Sequence, residues 1–218
     1  MRGLRTSPRT ADAEESGVWL SIGDLMSVLL MIFALLLISA LVQISEVHEN
    51  SQTTRVVIIK GINDALEGAG IEVQANSETG DISILDSILF DRNEYRLKPS
   101  GKAFLDQFVP IYSDVIFQSK QTSDEVSRIV IEGHSSSEGS FDRNIELSVL
   151  RANSVAKYIN SMDFAHKLPF FDKAMISGRG PIEANQEATD PADRKVKFRF
   201  QFKDDEFLGY FSEVKSVE

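Results

Sequence analysis

One acid inside one apolar helix constrains this chain more than any other feature. From Val18 to Val42 run 25 residues, VWLSIGDLMSVLLMIFALLLISALV, and Asp24 is the only charged group among them. At about 1.5 Å per residue this helix spans roughly 37 Å, more than the roughly 30 Å hydrocarbon core of a bilayer. A carboxylate there costs about 2.5–3.5 kcal/mol even on the lenient insertion scale, so acids in such spans mark ion or proton pathways. No Lys or Arg occurs between Arg9 and Arg55 to neutralise it. A partner helix must do so, or the acid must take a proton or a cation. The bland alternative is an acid reaching for the headgroups, and the apolar turn before it (Val18, Trp19, Leu20, Ile22) argues against that. Asp24 lies five residues past the interfacial Trp19, about 8 Å deeper along the axis and nearer one end of the span than its centre.

Orientation follows from charge. Arg2, Arg5 and Arg9 precede the span and Gln43, Ile44, Ser45 and Glu46 follow it. The positive-inside rule therefore puts the N-terminus in the cytoplasm and the large domain outside. A cleaved signal peptide would have an apolar stretch of about 7–15 residues and a small-residue cleavage site. The unbroken run Leu25–Val42 is longer, so the expectation is a retained single-pass anchor. The net charge of −10 argues against a nucleic-acid partner, and the lack of cysteine removes disulfide and thiolate chemistry.

Four segments are expected: a polar tail at 1–17, a transmembrane helix at 18–43, a connector helix at 44–70 and a domain at 71–218. The connector carries Val56, Ile59, Ile62 and Leu66 at helical spacing and stops at Gly68 and Gly70. Beyond it the pattern is mixed. Ile71–Gln74 and Ile82–Leu85 read as a hairpin, Pro99–Phe117 as a helix, Ile129–Ile131 and Ala174–Ser177 as short strands. Asp142–Ile159 reads as an amphipathic helix with Ile145, Val149, Ala152, Ala156 and Ile159 on its core stripe. Val196–Phe202 alternates apolar and polar residues, a half-buried strand. This order describes an α+β fold, a mixed sheet with helices on one face.

The segment GHSSSEGSFDRNIELSVLRANSV, residues 133–155, is the second constellation that could carry chemistry. Gly133-His134-Ser135-Ser136-Ser137 approaches a nucleophile elbow, but Ser137 replaces its closing glycine and only His166 follows, so no enzyme is expected. His48, His134 and His166 show no metal-ligand spacing, and no metal or cofactor is expected. Asn144, Leu147 and Arg151 sit at i, i+3 and i+7, within about 60° of one another on the helix. They point away from the core stripe, which leaves that face free for a ligand. By itself an Arg on such a face reads as a solubilising surface residue; a guanidinium there can also grip a carboxylate through two parallel hydrogen bonds.

These residues resemble the OmpA-like peptidoglycan-binding domain. The likeness runs through Gly133-His134-Ser135, Asn144-x-x-Leu147-Ser148-x-x-Arg151-Ala152, Gly178-Arg179-Gly180 and Asp193-Arg194-Lys195-Val196, and covers roughly residues 80–203. The resemblance implies a peptidoglycan stem peptide as ligand, with Arg151 taking a diaminopimelate carboxylate and Asn144, Leu147 and Arg194 beside it. It also implies an acid for the ligand's amino group at a position that holds Ser136 here, with Glu138 the acid nearest in sequence.

Joined to Trp19-Leu-Ser-Ile-Gly-Asp24-Leu25-Met26, this domain resembles the MotB-type stator subunits of rotary ion-driven motors. That likeness implies a homodimer inside a pentameric ring of a MotA-like multi-span protein in the bacterial inner membrane, with H+ or Na+ passing by Asp24. The absence of a separate amphipathic segment straight after the span, and the departure at 135–138, bring the chain nearer to the MotB-like subunits of Zorya anti-phage defence systems. The rival expectations are a flagellar stator subunit and a passive cell-wall tether.

Overall fold

Helix α1 runs without a break from Ala11 to Gly68. The computed structural model of the protein describes residues 11–73 and 75–203; Arg2, Arg5 and Arg9, on which the orientation rests, lie outside them. The expected tail, span and connector therefore meet inside one helix. An 18-residue window of it reaches a mean hydropathy of 2.9, with none of that window buried. Leu25, Leu30, Met31, Phe33, Leu35 and Leu37 are all exposed.

The helix ends where a helix with this sequence must. Gly70 adopts φ +72°, open to glycine without strain. Its N–H donates to Glu67 O at 3.0 Å, and the Ile71 N–H reaches back to Leu66 O at 3.0 Å. This is a Schellman stop, with Ile71 and Leu66 both buried in the core.

The chain divides into two compact units at Asn50 and Ser51 rather than at residue 71. The reason is packing. Ile58, Ile59, Ile62 and Leu66 belong to the same buried cluster as the sheet, so the last turns of α1 are part of the domain rather than a connector ahead of it. At the start of that stretch Ser51 hydrogen-bonds Glu125, and the Arg55 guanidinium lies 4.5 Å from the Phe202 ring centroid.

In the second unit, a mixed four-stranded sheet has the order β1-β4-β2-β3, with β1 Ile82–Leu85, β2 Val126–His134, β3 Ala174–Gly180 and β4 Lys195–Phe202. Strands β2 and β3 are parallel and the other pairs antiparallel. The expected hairpin shrinks to a single bridge, Ala75 to Ile82, because the Asn76 side chain turns the loop by accepting from Glu78 N and Thr79 N. Three short helices went unforeseen: α2 Asp86–Leu89, α4 Lys120–Glu125 and α6 Lys167–Lys173.

Helix α3, Pro99–Phe117, lays Phe108 and Tyr112 against Phe198, with ring centroids 5.0 and 5.6 Å apart. Helix α5, Phe141–Ser161, crosses β2 and β3 at two facing glycines, Gly133 and Gly178. A Cβ at Gly133 would run into the Ser148 carbonyl oxygen, and one at Gly178 would lie 2.6 Å from Val149 N. This close approach sets which face of α5 turns inward. The expected stripe is corrected accordingly: Ser148 and Val155 are buried, whereas Val149 is 43% exposed.

Candidate functional site

A cavity of about 760 Å³ opens between α2, the turn after it, the loop between β2 and α5, and the segment leading into β4. All six residues expected to form a binding site line it: Ser136, Glu138, Asn144, Leu147, Arg151 and Arg194. They come from three separate stretches of chain.

Arg151 is not the surface residue expected. It is 2% exposed, and its guanidinium makes an ion pair with Asp86, Nη2 to Oδ2 at 2.9 Å. Its Nε donates to the Glu94 carbonyl at 2.9 Å, and its carbon centre lies 5.3 Å from the Phe90 ring centroid. The turn that presents Glu94 contains Asn93 at φ +62° and closes with Glu94 N donating to Asp91 O. Nη1 alone has no hydrogen-bond partner among the described residues. One donor is thus left over on a group that lines the cavity.

Burial governs the electrostatics here. It pushes the Asp86 carboxyl above its ordinary value, against the pull of Arg151, Arg194 and Lys98. It draws Arg151 below the usual guanidinium value, opposed by Asp86 and reinforced by the nearby Arg194. Arg194 also fixes Asp86 through its backbone, its carbonyl accepting from Asp86 N at 2.9 Å.

Asn144 holds the loop rather than facing outward. Its Nδ2 donates to Ser136 O at 3.2 Å and to Glu138 O at 2.9 Å, and the residue is 8% exposed. Ser140 starts α5 by accepting from Arg143 N. Leu147 lies half-buried in the wall. Ser136 is buried and uncharged. The Glu138 side chain is 57% exposed and lies 3.7 Å from Arg92 across the cavity mouth.

Sequence reasoning missed Asp86, Phe90 and Glu94. A signal existed for the first: Asp86 is the only charged residue in ISILDSILF, residues 82–90, where a buried acid demands a buried partner.

A second cluster lies on the sheet face away from the helices. His134 Nε2 sits 2.8 Å from Glu132 Oε1, and His134 Nδ1 lies 3.8 Å from Glu183 Oε2. The three side chains bring possible metal donors within 4.8 Å of one another, which spacing in the sequence had not suggested. Both carboxylates are already matched by cations. Lys197 reaches Glu183 at 2.7 Å, Arg179 reaches it at 3.3 Å, and Arg199 lies 3.3 Å from Glu132. The hydrogen bond from Lys197 holds the Glu183 carboxyl down at about 2. The arrangement is an ion-pair network that runs on through Arg199 to Asp81, 3.4 Å away.

A four-stranded mixed sheet with helices on one face, and an Arg-floored cavity beside α5, define the class: the chain belongs to the OmpA family, whose model matches residues 89–199, just over half of its length. Over nearly its whole length the chain is similar to the Zorya protein ZorB of Escherichia coli O139:H28 (strain E24377A / ETEC), 24% identical over 208 residues, covering 89% of this chain and 84% of the relative. Among solved structures it resembles a MotB-like protein from Desulfovibrio vulgaris, with a TM-score of 0.50 and 16% identity over 72% of this chain and 95% of that one. The periplasmic domain of Helicobacter pylori MotB matches with a TM-score of 0.45 and 12% identity, over 66% and 90% of the two chains. At 16% identity the likeness to the Desulfovibrio vulgaris protein speaks for the fold alone.

Proposed function

We propose that this protein is the ion-conducting, peptidoglycan-anchored stator-type subunit of an inner-membrane rotary motor that serves anti-phage defence. Asp24 carries the reading. A passive tether has no use for a costly carboxylate in a membrane helix, whereas a motor needs a group that takes and releases a cation. The similarity to ZorB supports the defence role over a flagellar one. In this reading the N-terminus is cytoplasmic, the OmpA-family domain is periplasmic, and the cavity floored by Arg151 takes a carboxylate of the stem peptide. Two copies of α1 stand inside a pentamer of a MotA-like multi-span protein, and H+ or Na+ passes by Asp24. Gly23, Ser27 and Ala34 allow close helix approach. Ser27 Oγ already donates to Gly23 O at 2.8 Å, so its hydroxyl brings no unmet demand into the lipid.

The test is Asp24→Asn. Asn has nearly the same volume and cannot gain and lose a charge. The variant should assemble with its partner at parental yield and lose protection against phage. A variant that assembles and protects fully would overturn the ion-pathway reading in favour of a tether.

A further inference from the structure

The cavity's cations and acids are unequally available. Arg151 brings an unpartnered Nη1 to the cavity while 2% exposed, a buried donor that only an incoming acceptor satisfies. Four acids line the same cavity: Asp86, Asp91, Glu138 and Asp190. Asp86 is held by Arg151 at 2.9 Å. Asp190 accepts from Ala192 N at 2.8 Å and so caps its own turn. Glu138 lies beside Arg92 at the mouth. Asp91 is at the exposed rim, where a charge contact is weakened by solvent. At the loop facing Arg151 stand Ser135 and Ser136, both buried and neutral.

We infer that the cavity reads the carboxylate of its ligand and makes no demand on the amino group beside it, so that a stem peptide whose diaminopimelate amino group is acylated in a cross-link is bound as well as a free one. This rests on the peptidoglycan reading above. Among the described residues this cavity offers an entering ammonium no acid that is both buried and uncommitted, and the loop beside it offers an amide the hydroxyl groups of Ser135 and Ser136. At about 760 Å³ the space also exceeds what one diaminopimelate side chain fills, which leaves room for the acyl group. An anchor of this kind grips cross-linked wall as readily as free stems.

Isothermal titration of the detergent-solubilised full chain tests this, with two probes: the tripeptide L-alanyl-γ-D-glutamyl-meso-diaminopimelate, and the same peptide acetylated on its side-chain amino group. The expected result is two dissociation constants within about threefold of each other. A preference for the free amine of about tenfold or more, the scale of one charge-assisted contact, overturns the inference and leaves wall binding standing. Binding of neither peptide overturns wall binding itself. Asp91→Asn serves as a second arm, since its side chain is exposed at the rim. It should leave affinity for the free peptide within about threefold. A tenfold loss identifies an acid that grips the amino group, and the inference fails.

Discussion

Replacing Arg151 by Ala should destabilise the whole domain rather than only empty the cavity. Arg151 is 2% exposed and the Asp86 side chain 11%, so their ion pair is shielded from water on both sides. Removing one partner of a buried pair costs about 3–5 kcal/mol, because the remaining charge stays buried without compensation. The bond to Glu94 O and the contact with Phe90 are lost as well. For a domain of this size each kcal/mol moves the melting temperature by about 2–4 °C, so the variant should melt roughly 6–20 °C below the parent. The stranded carboxylate makes the effect reversible in two ways. Burial already raises Asp86 above its ordinary 3.8. A group raised in the folded state favours folding below its unfolded value and loses that contribution as pH rises through the folded one. Without Arg151 the rise is larger, so the deficit should shrink between pH 7 and about pH 4. Adding Asp86→Asn should recover part of the loss at neutral pH, which a double-mutant cycle on the 51–218 fragment measures by thermal and urea denaturation. A single variant melting within about 3 °C of the parent, or a double variant no better than the single, refutes the buried-pair account.

Two further outcomes are expected. Asn144→Ala removes both hydrogen bonds to the loop carbonyls of Ser136 and Glu138, at about 1–3 kcal/mol, and should speed amide exchange across 136–139; unchanged exchange there would mean that the loop is held by something else. Glu183 sits at about 2 in the folded protein against an ordinary 4.5, so it stabilises the fold above pH 4.5 and loses that contribution as pH falls toward 2. Lys197→Met should therefore lower the melting temperature at pH 7 by a modest amount, Glu183 being partly exposed, and matter less at pH 3. An equal deficit at both values would sink the ion-pair explanation.

Much of the fold is legible in local pattern. Period-two alternation marks Lys195–Phe202 because one face of β4 packs under α3 while the other carries Lys197 and Arg199. Helix α3 starts on the expected residue because Pro99 fits the first turn, where its missing N–H goes unneeded. The apolar run around Asp24 needs no tertiary context at all, since membrane length and charge scarcity are properties of the chain itself. The helices at 86–89, 120–125 and 167–173 escaped for the opposite reason: four to seven residues are too few for a helical period to show.

The cavity divides in the same way. Asn144, Leu147 and Arg151 were legible because they share one face over two turns of α5, while Ser136, Glu138 and Arg194 came from the resemblance to the OmpA-like domain. What they do there was decided elsewhere. Gly133 and Gly178 let α5 sink onto the sheet at Ser148 and Val149, while Asp86, Phe90 and the Glu94 turn close over Arg151 and the 136–138 loop closes over Asn144. Hydropathy ranks side chains by their preference for water and is blind to a groove made by two missing Cβ atoms on other strands. The partner of Arg151 lies 65 positions earlier, at Asp86, and only the folded chain brings the two within 2.9 Å. A buried charge states in the sequence that it needs a partner; which partner it finds is a property of the tertiary structure, because the burial that creates the need also selects the neighbour.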